Sequence, residues 1–506
     1  VKQPPVPPST TSSPSTQRGL KGRLDGYFQI SARGSDFGRE TRGGLAMFFA
    51  MAYIVVLNPL IIGTAVDGEG ALVGGAEDVS VAIPMVAAVT SLVAGVMTIL
   101  MGIVGRYPLG LAAGMGLNAT LAVTIAPDMT WADAMGLVVI EGLILLVLVL
   151  TGFRTAVFRA IPAGLKTAIA VGLGLFLTLV GFVNAGFIRR VPDAANSTVP
   201  VQLGGPGGLA GWPLLVFVVG LFLTIVLLVR KVKGAMLIGI IAATVLAIVV
   251  EAVASIGPSA GGEDGPNPTG WSLNVPELSG SVIGIPDFGL IGEFNLLGGF
   301  REVGIVAALL LVFTLLLADF FDTMGTMVGV AGQAGLLTKD GDLPGARNVL
   351  VVDSLAAAAG GAASASSATV YAESAAAAGE GARTGFASVI AGVLFLIATL
   401  FSPLVNLVPF EAATPVLIVV GFLMMTQVTR IDFSDYSIAI PAFLTIVVMP
   451  FSYSIAHGIG AGFVSYTIIK VAQGRFKEIH PLMWIVAVAF LVFFCMGPIE
   501  AALGMA

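Results

Sequence analysis

Cysteine is nearly absent. Cys495 is the only one in 506 residues, which excludes an internal disulfide and any multi-cysteine metal or redox centre. Histidine is almost as scarce, with His457 and His480 alone, too few for a histidine-based metal site. Charge is scarce as well: Asp, Glu, Lys and Arg make up 11% of the chain, against roughly 25% in a soluble domain. The formal net charge of −6 carries little information, because most of it sits in a few loops, and no nucleic-acid partner is expected. Residues 1–17, "VKQPPVPPSTTSSPSTQ", hold no apolar core of the kind a signal peptide needs. They read as a disordered tail.

What fills the chain instead is apolar residues, at 57%, with a mean hydropathy of +0.99. Runs long enough to cross a bilayer recur along almost the whole sequence, whereas a membrane β-barrel would show short alternating segments. The expectation is an all-α polytopic membrane protein. Candidate spans lie near 43–65, 79–103, 108–126, 131–152, 161–187, 213–229 and 234–254. After a polar insertion a second set lies near 303–331, 346–362, 364–379, 385–403, 411–428, 436–472 and 481–500. Pro450, Gly458 and Gly460 make 436–472 one broken segment or two short spans, and Lys470, Arg475 and Lys477, which belong on the inside, favour two. The count is about fourteen.

Four units follow: a cytoplasmic tail (1–42), a first seven-span repeat (43–254), an extracellular insertion (255–302) and a second seven-span repeat (303–506). Basic residues orient them. Arg33, Arg39 and Arg42, then Arg154, Arg159 and Lys166, then Arg230, Lys231 and Lys233 fall on one side if the N-terminus is cytoplasmic. Arg189 and Arg190 depart from that pattern. Seven spans, an external loop and seven more is the pattern of inverted repeats. "YPLGLAAGMGLNATLAVT" (107–124) and "GGAASASSATVYAESAAAAG" (360–379) occupy the third position of each half, and both are small, polar and Gly/Ala/Ser-rich. Interrupted segments at matching places point to a transporter's central site.

Acids at membrane depth narrow that site. "LLLADFFDTMGTMVGV" places Asp319, Asp322 and Thr326 at i, i+3 and i+7, one stripe of a helix. A carboxylate at mid-span costs about 2.5–3.5 kcal/mol on the insertion scale, so such residues are functional by default. Asp322 is the stronger candidate, with Asp319 supporting it or sharing its proton. Glu373, in "VYAES", is the one acid at depth in its segment, with Tyr371, Ala372 and Ser374 around it. Asn118, in "GMGLNAT", gains weight from the matching position of its segment. Glu141 and Lys166 look less central.

Taken together, "GGLAMFFAMAYIVVLNPLIIG", "GMGLNAT", "ADFFDTMGT", "TVYAES", "GARTG" and "PAFLTIVVMPFSYSIAHGI" resemble the adenine/guanine/hypoxanthine (AzgA-like) permeases, a branch of the nucleobase–cation symporters. The motifs run in order from residue 43 to about 472. The resemblance implies two inverted seven-span repeats forming core and gate domains, with short β-strands in spans 3 and 10 meeting at mid-membrane. It also implies that Asp322, Glu373 and Asn118 stand at substrate-binding positions. Thr326 stands where the uracil-permease branch has a histidine, a departure that bears on any proton relay there.

The chemistry agrees. A purine offers N–H donors and ring-nitrogen acceptors on a flat disc; carboxylates accept, an amide does both, and small residues leave room. The expected activity is proton-coupled import of adenine, guanine or hypoxanthine across the plasma membrane, with no cofactor, no metal and no enzymatic step. Homodimerisation and replacement of H⁺ by Na⁺ stay open. Rival readings are a same-fold carrier of xanthine, uracil or an anion, and an intramembrane aspartyl protease. The protease needs aspartates on separate helices, whereas Asp319 and Asp322 share one.

Overall fold

Side-chain caps decide where the apolar runs become helices. Asp36, Asp78, Thr130, Thr384, Asp435 and Ser454 each accept a backbone N–H from two or three residues ahead, satisfying donors that a helix start leaves orphaned. The structure is a computed structural model and describes residues 20–152, 161–190, 201–204, 209–259, 267, 269–272, 274–277, 283–337 and 343–495. The expected disordered tail, and the loop basics Arg154 and Arg159, lie outside them.

The first half runs α1 (Leu20–Phe28), α2 (Phe37–Met51), α3 (Ile54–Ile62), α4 (Val79–Leu100), β1 (Leu111–Ala113), α5 (Met115–Thr120), α6 (Trp131–Thr151), α7 (Ala163–Asn184), β2 (Ile188–Arg190), β3 (Val201–Leu203), α8 (Trp212–Val229) and α9 (Ala235–Ala254). The second runs α10 (Gly298–Glu302), α11 (Ile305–Gln333), α12 (Ala346–Ala362), β4 (Ala368–Val370), α13 (Ala375–Gly379), α14 (Gly385–Ala398), α15 (Phe410–Ala413), α16 (Pro415–Met425), α17 (Tyr436–Phe451), α18 (Ile455–Ala472) and α19 (Pro481–Phe494). Among the described residues nine helices are long and apolar enough to cross a membrane. The block 436–472 is two helices, broken at Ser452–Ser454 just after Pro450.

Two packing groups form. One gathers α2, α4, α6, α11, α12 and α14; the other gathers α7, α8, α9, α16, α17, α18 and α19, with α11 bordering both. Two small-residue contacts press α6 against α12. A Cβ on Gly361 would stand 2.8 Å from the Val139 nitrogen, and one on Gly142 would strike the Ala358 backbone. Side chains facing each other across that seam are therefore held close. Outward faces carry the apolar residues that lipid tolerates, such as Phe222 and Phe451.

The two Gly/Ala/Ser-rich segments leave helical geometry at their centres. β1 and β4 pair antiparallel, Leu111 with Val370, Ala112 with Thr369 and Ala113 with Ala368. Ser364 and Ser366 adopt positive φ (52° and 70°) to turn the chain into β4, a conformation that costs L-residues free energy. Bonds between the two segments continue past the strand ends: Gly114 N–H donates to Ser367 O (2.8 Å) and Tyr371 N–H to Gly110 O (3.0 Å). Non-helical backbone survives at membrane depth only when enclosed by protein or lining a cavity, and both strands are buried.

Basic residues far apart in sequence meet at one end of the bundle. Arg42 of α2 and Lys233 of the α8–α9 loop both pair with Glu380. Arg189 instead lines a cavity of about 700 Å³ together with Ser259 and Ser272 of the insertion.

Candidate functional site

At the β1–β4 crossing the candidates from both halves come together. Glu373 begins the turn after β4, and its Oε1 accepts the Tyr53 hydroxyl at 2.7 Å. Asp322 Oδ2 lies 3.5 Å from the Thr369 hydroxyl of β4 and is close enough to Glu373 to interact with it electrostatically. Tyr371 donates its hydroxyl to the Ala113 carbonyl of β1, and its ring lies 6.4 Å from that of Tyr53. Ser374 Oγ accepts the Gly110 N–H at 2.9 Å, tying the turn to β1. Ala372 is exposed, and Asp322, Thr326 and Glu373 are part-exposed. The site is thus reachable.

Asn118 lies in α5, the short helix that follows β1. Its amide donates to Asn58 Oδ1 (2.8 Å), and Asn58 in turn donates to Thr90 (2.7 Å) and the Ala365 carbonyl (3.0 Å). That chain fixes Asn118 and leaves its own Oδ1 buried without a donor among the described residues. An acceptor in that condition is costly unless something donates to it.

Asp319 does not share Asp322's surroundings. Three residues advance a helix by about 300°, so the two side chains diverge by about 60°. Asp319 instead meets Ser367 (3.4 Å) and Thr323 (3.4 Å), and the Thr323 hydroxyl lies 2.8 Å from Asp353 of α12. Glu141 of α6 joins them, lying against Asp319 and Ser367 with Asp353 nearby. Glu141, Asp319 and Asp353 are each 0% exposed. Two acidic sites therefore stand side by side, an accessible one at Asp322 and Glu373 and a closed one behind it.

Tyr53, Asn58 and Asp353 bond directly to candidate residues or to their neighbours, and sequence reasoning missed them. The signal for the first two was a Tyr and an Asn inside the otherwise apolar "AMAYIVVLNPL"; Asp353 is a lone acid in a small-residue run. Glu141, which looks peripheral in sequence, is at the centre of the closed cluster.

A model described as "Permease family" matches residues 38–461. The chain belongs to the permease family. It is a membrane transporter and not an enzyme. The permease is 36% identical over 470 residues to the guanine/hypoxanthine permease PbuG of Bacillus subtilis, covering 92% of this chain and 98% of that one. To the adenine permease AdeP of Escherichia coli it is 32% identical over 480 residues, covering 94% and 97%. Its fold is similar to the transmembrane domain of the cyanobacterial bicarbonate transporter BicA, with a TM-score of 0.56 over 84% of this chain and 96% of that one, at 14% identity.

Proposed function

We propose that this permease imports purine nucleobases by proton symport, binding the base at the β1–β4 crossing. The observation that carries this is the pair Asp322 and Glu373, brought together from α11 and the turn after β4 and left part-exposed. Two carboxylates accept the N–H groups of a purine edge, and the Asn118 Oδ1 supplies a third acceptor. Small side chains at Ala372 and along the strands leave room for the ring, while Tyr371, Ser374 and Thr326 border it. Each lost partner would strand a buried polar group at about 1–3 kcal/mol. The names of PbuG and AdeP support the substrate class.

The finer architecture belongs to the same reading: about fourteen spans in two inverted seven-span repeats, residues 43–254 and 303–506, with the strands in spans 3 and 10. The packing group containing α6, α11 and α12 acts as the core and the other as the gate. The N-terminus faces the cytoplasm of a plasma-membrane protein, since Arg42 and Lys233 gather at one end. A purine is uncharged near neutral pH, so voltage alone cannot concentrate it, and a co-transported proton supplies the drive.

The rival with an observation behind it is an anion carrier, because BicA shares the fold. Two acids at the crossing oppose it, since they would repel an anion. Competition settles the choice: labelled hypoxanthine uptake should be displaced by adenine or guanine and not by bicarbonate or sulfate. Saturable anion uptake without purine uptake would overturn the proposal.

A further inference from the structure

The closed cluster behind the strands has no part in holding the base, yet three helices converge to build it. α6 brings Glu141, α11 brings Asp319 and Thr323, and α12 brings Asp353, while Ser367 caps the group from the turn before β4. Neither Glu141 oxygen has a donor of good geometry among the described residues, and the side chain is fully buried against Asp319. No basic side chain among the described residues pairs with Glu141. An ionised carboxylate enclosed beside other carboxylates, with only the Ser367 hydroxyl near it as a donor, is among the costliest arrangements a protein can hold. One added proton removes the charge and supplies the missing hydrogen.

We propose that the coupled proton is carried on Glu141, shared with Asp319 and Asp353, and not on the carboxylates that hold the base. This rests on the symport reading above. In the step, a proton from the external side forms an O–H bond to a Glu141 carboxylate oxygen; on the internal side the same bond breaks and the proton returns to water. Nothing else is made or broken.

Two parallel contacts carry the coupling. Ser367 meets Asp319 and, two residues on, Thr369 meets Asp322, so α11 and the β4 segment are joined at both sites. Loading the closed cluster changes what Ser367 and Thr323 bond to, and the β4 segment transmits that change to the base. Further ionisable groups on the elements packed around the cluster are Asp322 of α11 and Glu373 of the turn after β4. Asp133 of α6, Arg347 of α12 and Lys166 of α7 stand near helix ends, as do His457 and Lys470 of α18 with Tyr466 beside the latter. Arg301 and Glu302 close the short helix α10.

The test uses purified full-length protein in liposomes, comparing wild type, Glu141→Gln and Glu141→Asp. Two transport modes are read: exchange of labelled guanine or hypoxanthine across equal pH, and accumulation driven by an imposed pH gradient. Glu141→Gln should exchange within about threefold of wild type and lose at least about tenfold of the driven accumulation, while Glu141→Asp recovers part of it. Driven accumulation by Glu141→Gln at the wild-type level would overturn the proposal, as would equal behaviour of the Gln and Asp variants. Infrared difference spectra across pH should also contain a protonated-carboxyl band that Glu141→Gln removes; an unchanged band would overturn it. That spectrum needs no substrate, so a wild type that exchanges no purine would count against the substrate reading alone.

Discussion

Asn118 shows how one atom sets a measurable quantity. Its amide nitrogen donates one N–H to Asn58, and its oxygen has no donor among the described residues. Asn118→Ala should raise the purine KM by roughly tenfold, the equivalent of about 1.4 kcal/mol, with the protein still folded. An unchanged KM would remove Asn118 from the site. Asp322→Asn and Glu373→Gln keep volume but lose acceptors, and each should abolish uptake while the protein still reaches the membrane; near-normal transport by either would exclude it. The residues legible in sequence were those that break a strong pattern, as Asp322 does within an apolar helix and Glu373 within a Gly/Ala/Ser run. Tyr53 was not legible, because a single uncharged tyrosine inside an apolar run breaks the pattern far less than a carboxylate does. Its role exists only because α2 and α3 bring its hydroxyl to Glu373, a residue 320 positions away.

Elements were readable from different signals. The span near 346–362 coincides with α12 (Ala346–Ala362), because Gly345 at positive φ bounds it on one side and serines at positive φ on the other. The segment near 43–65 was harder, being split into α2 and α3 around Ala52–Tyr53 with no Pro or Gly at the break. Close packing makes its own prediction. Gly361 faces the Val139 backbone, so Gly361→Val should separate α6 from α12 and leave little monodisperse protein after extraction; a normal yield and melting temperature would contradict this seam. At the end of α18, Glu478 accepts from Arg475 (2.7 Å) and from the buried Lys470 (3.0 Å). The Arg475 bond first, and the Lys470 bond after it, hold the Glu478 carboxyl below its ordinary range. Because the folded pKa is lowered, its stabilisation is present above the ordinary glutamate range and is lost as pH falls through the folded value. Glu478→Gln should therefore lower the melting temperature at pH 7, and the difference should vanish by about pH 3. A difference that persists there would mean packing, not charge, is responsible.

For the whole molecule, composition alone was enough to establish a polytopic helical protein, since so few charges cannot cover a soluble surface of this size. What composition could not reveal is that the Asp319/Asp322 stripe serves two places. Helical periodicity puts both on one face, but the α12 and β4 neighbours divide that face between an open site and a closed one. The account therefore has a base held by Asp322, Glu373 and Asn118, moving together with a proton. Its central claim is tested most directly by accumulation of labelled hypoxanthine, guanine and adenine in a host lacking its own purine permeases. Uptake should rise as external pH falls from about 8 to about 6, the range over which a buried carboxyl can titrate, and a protonophore should collapse it even with a Na⁺ gradient in place. Accumulation that survives the protonophore and requires external Na⁺ would contradict the proton mechanism, and absence of all purine accumulation would contradict the substrate.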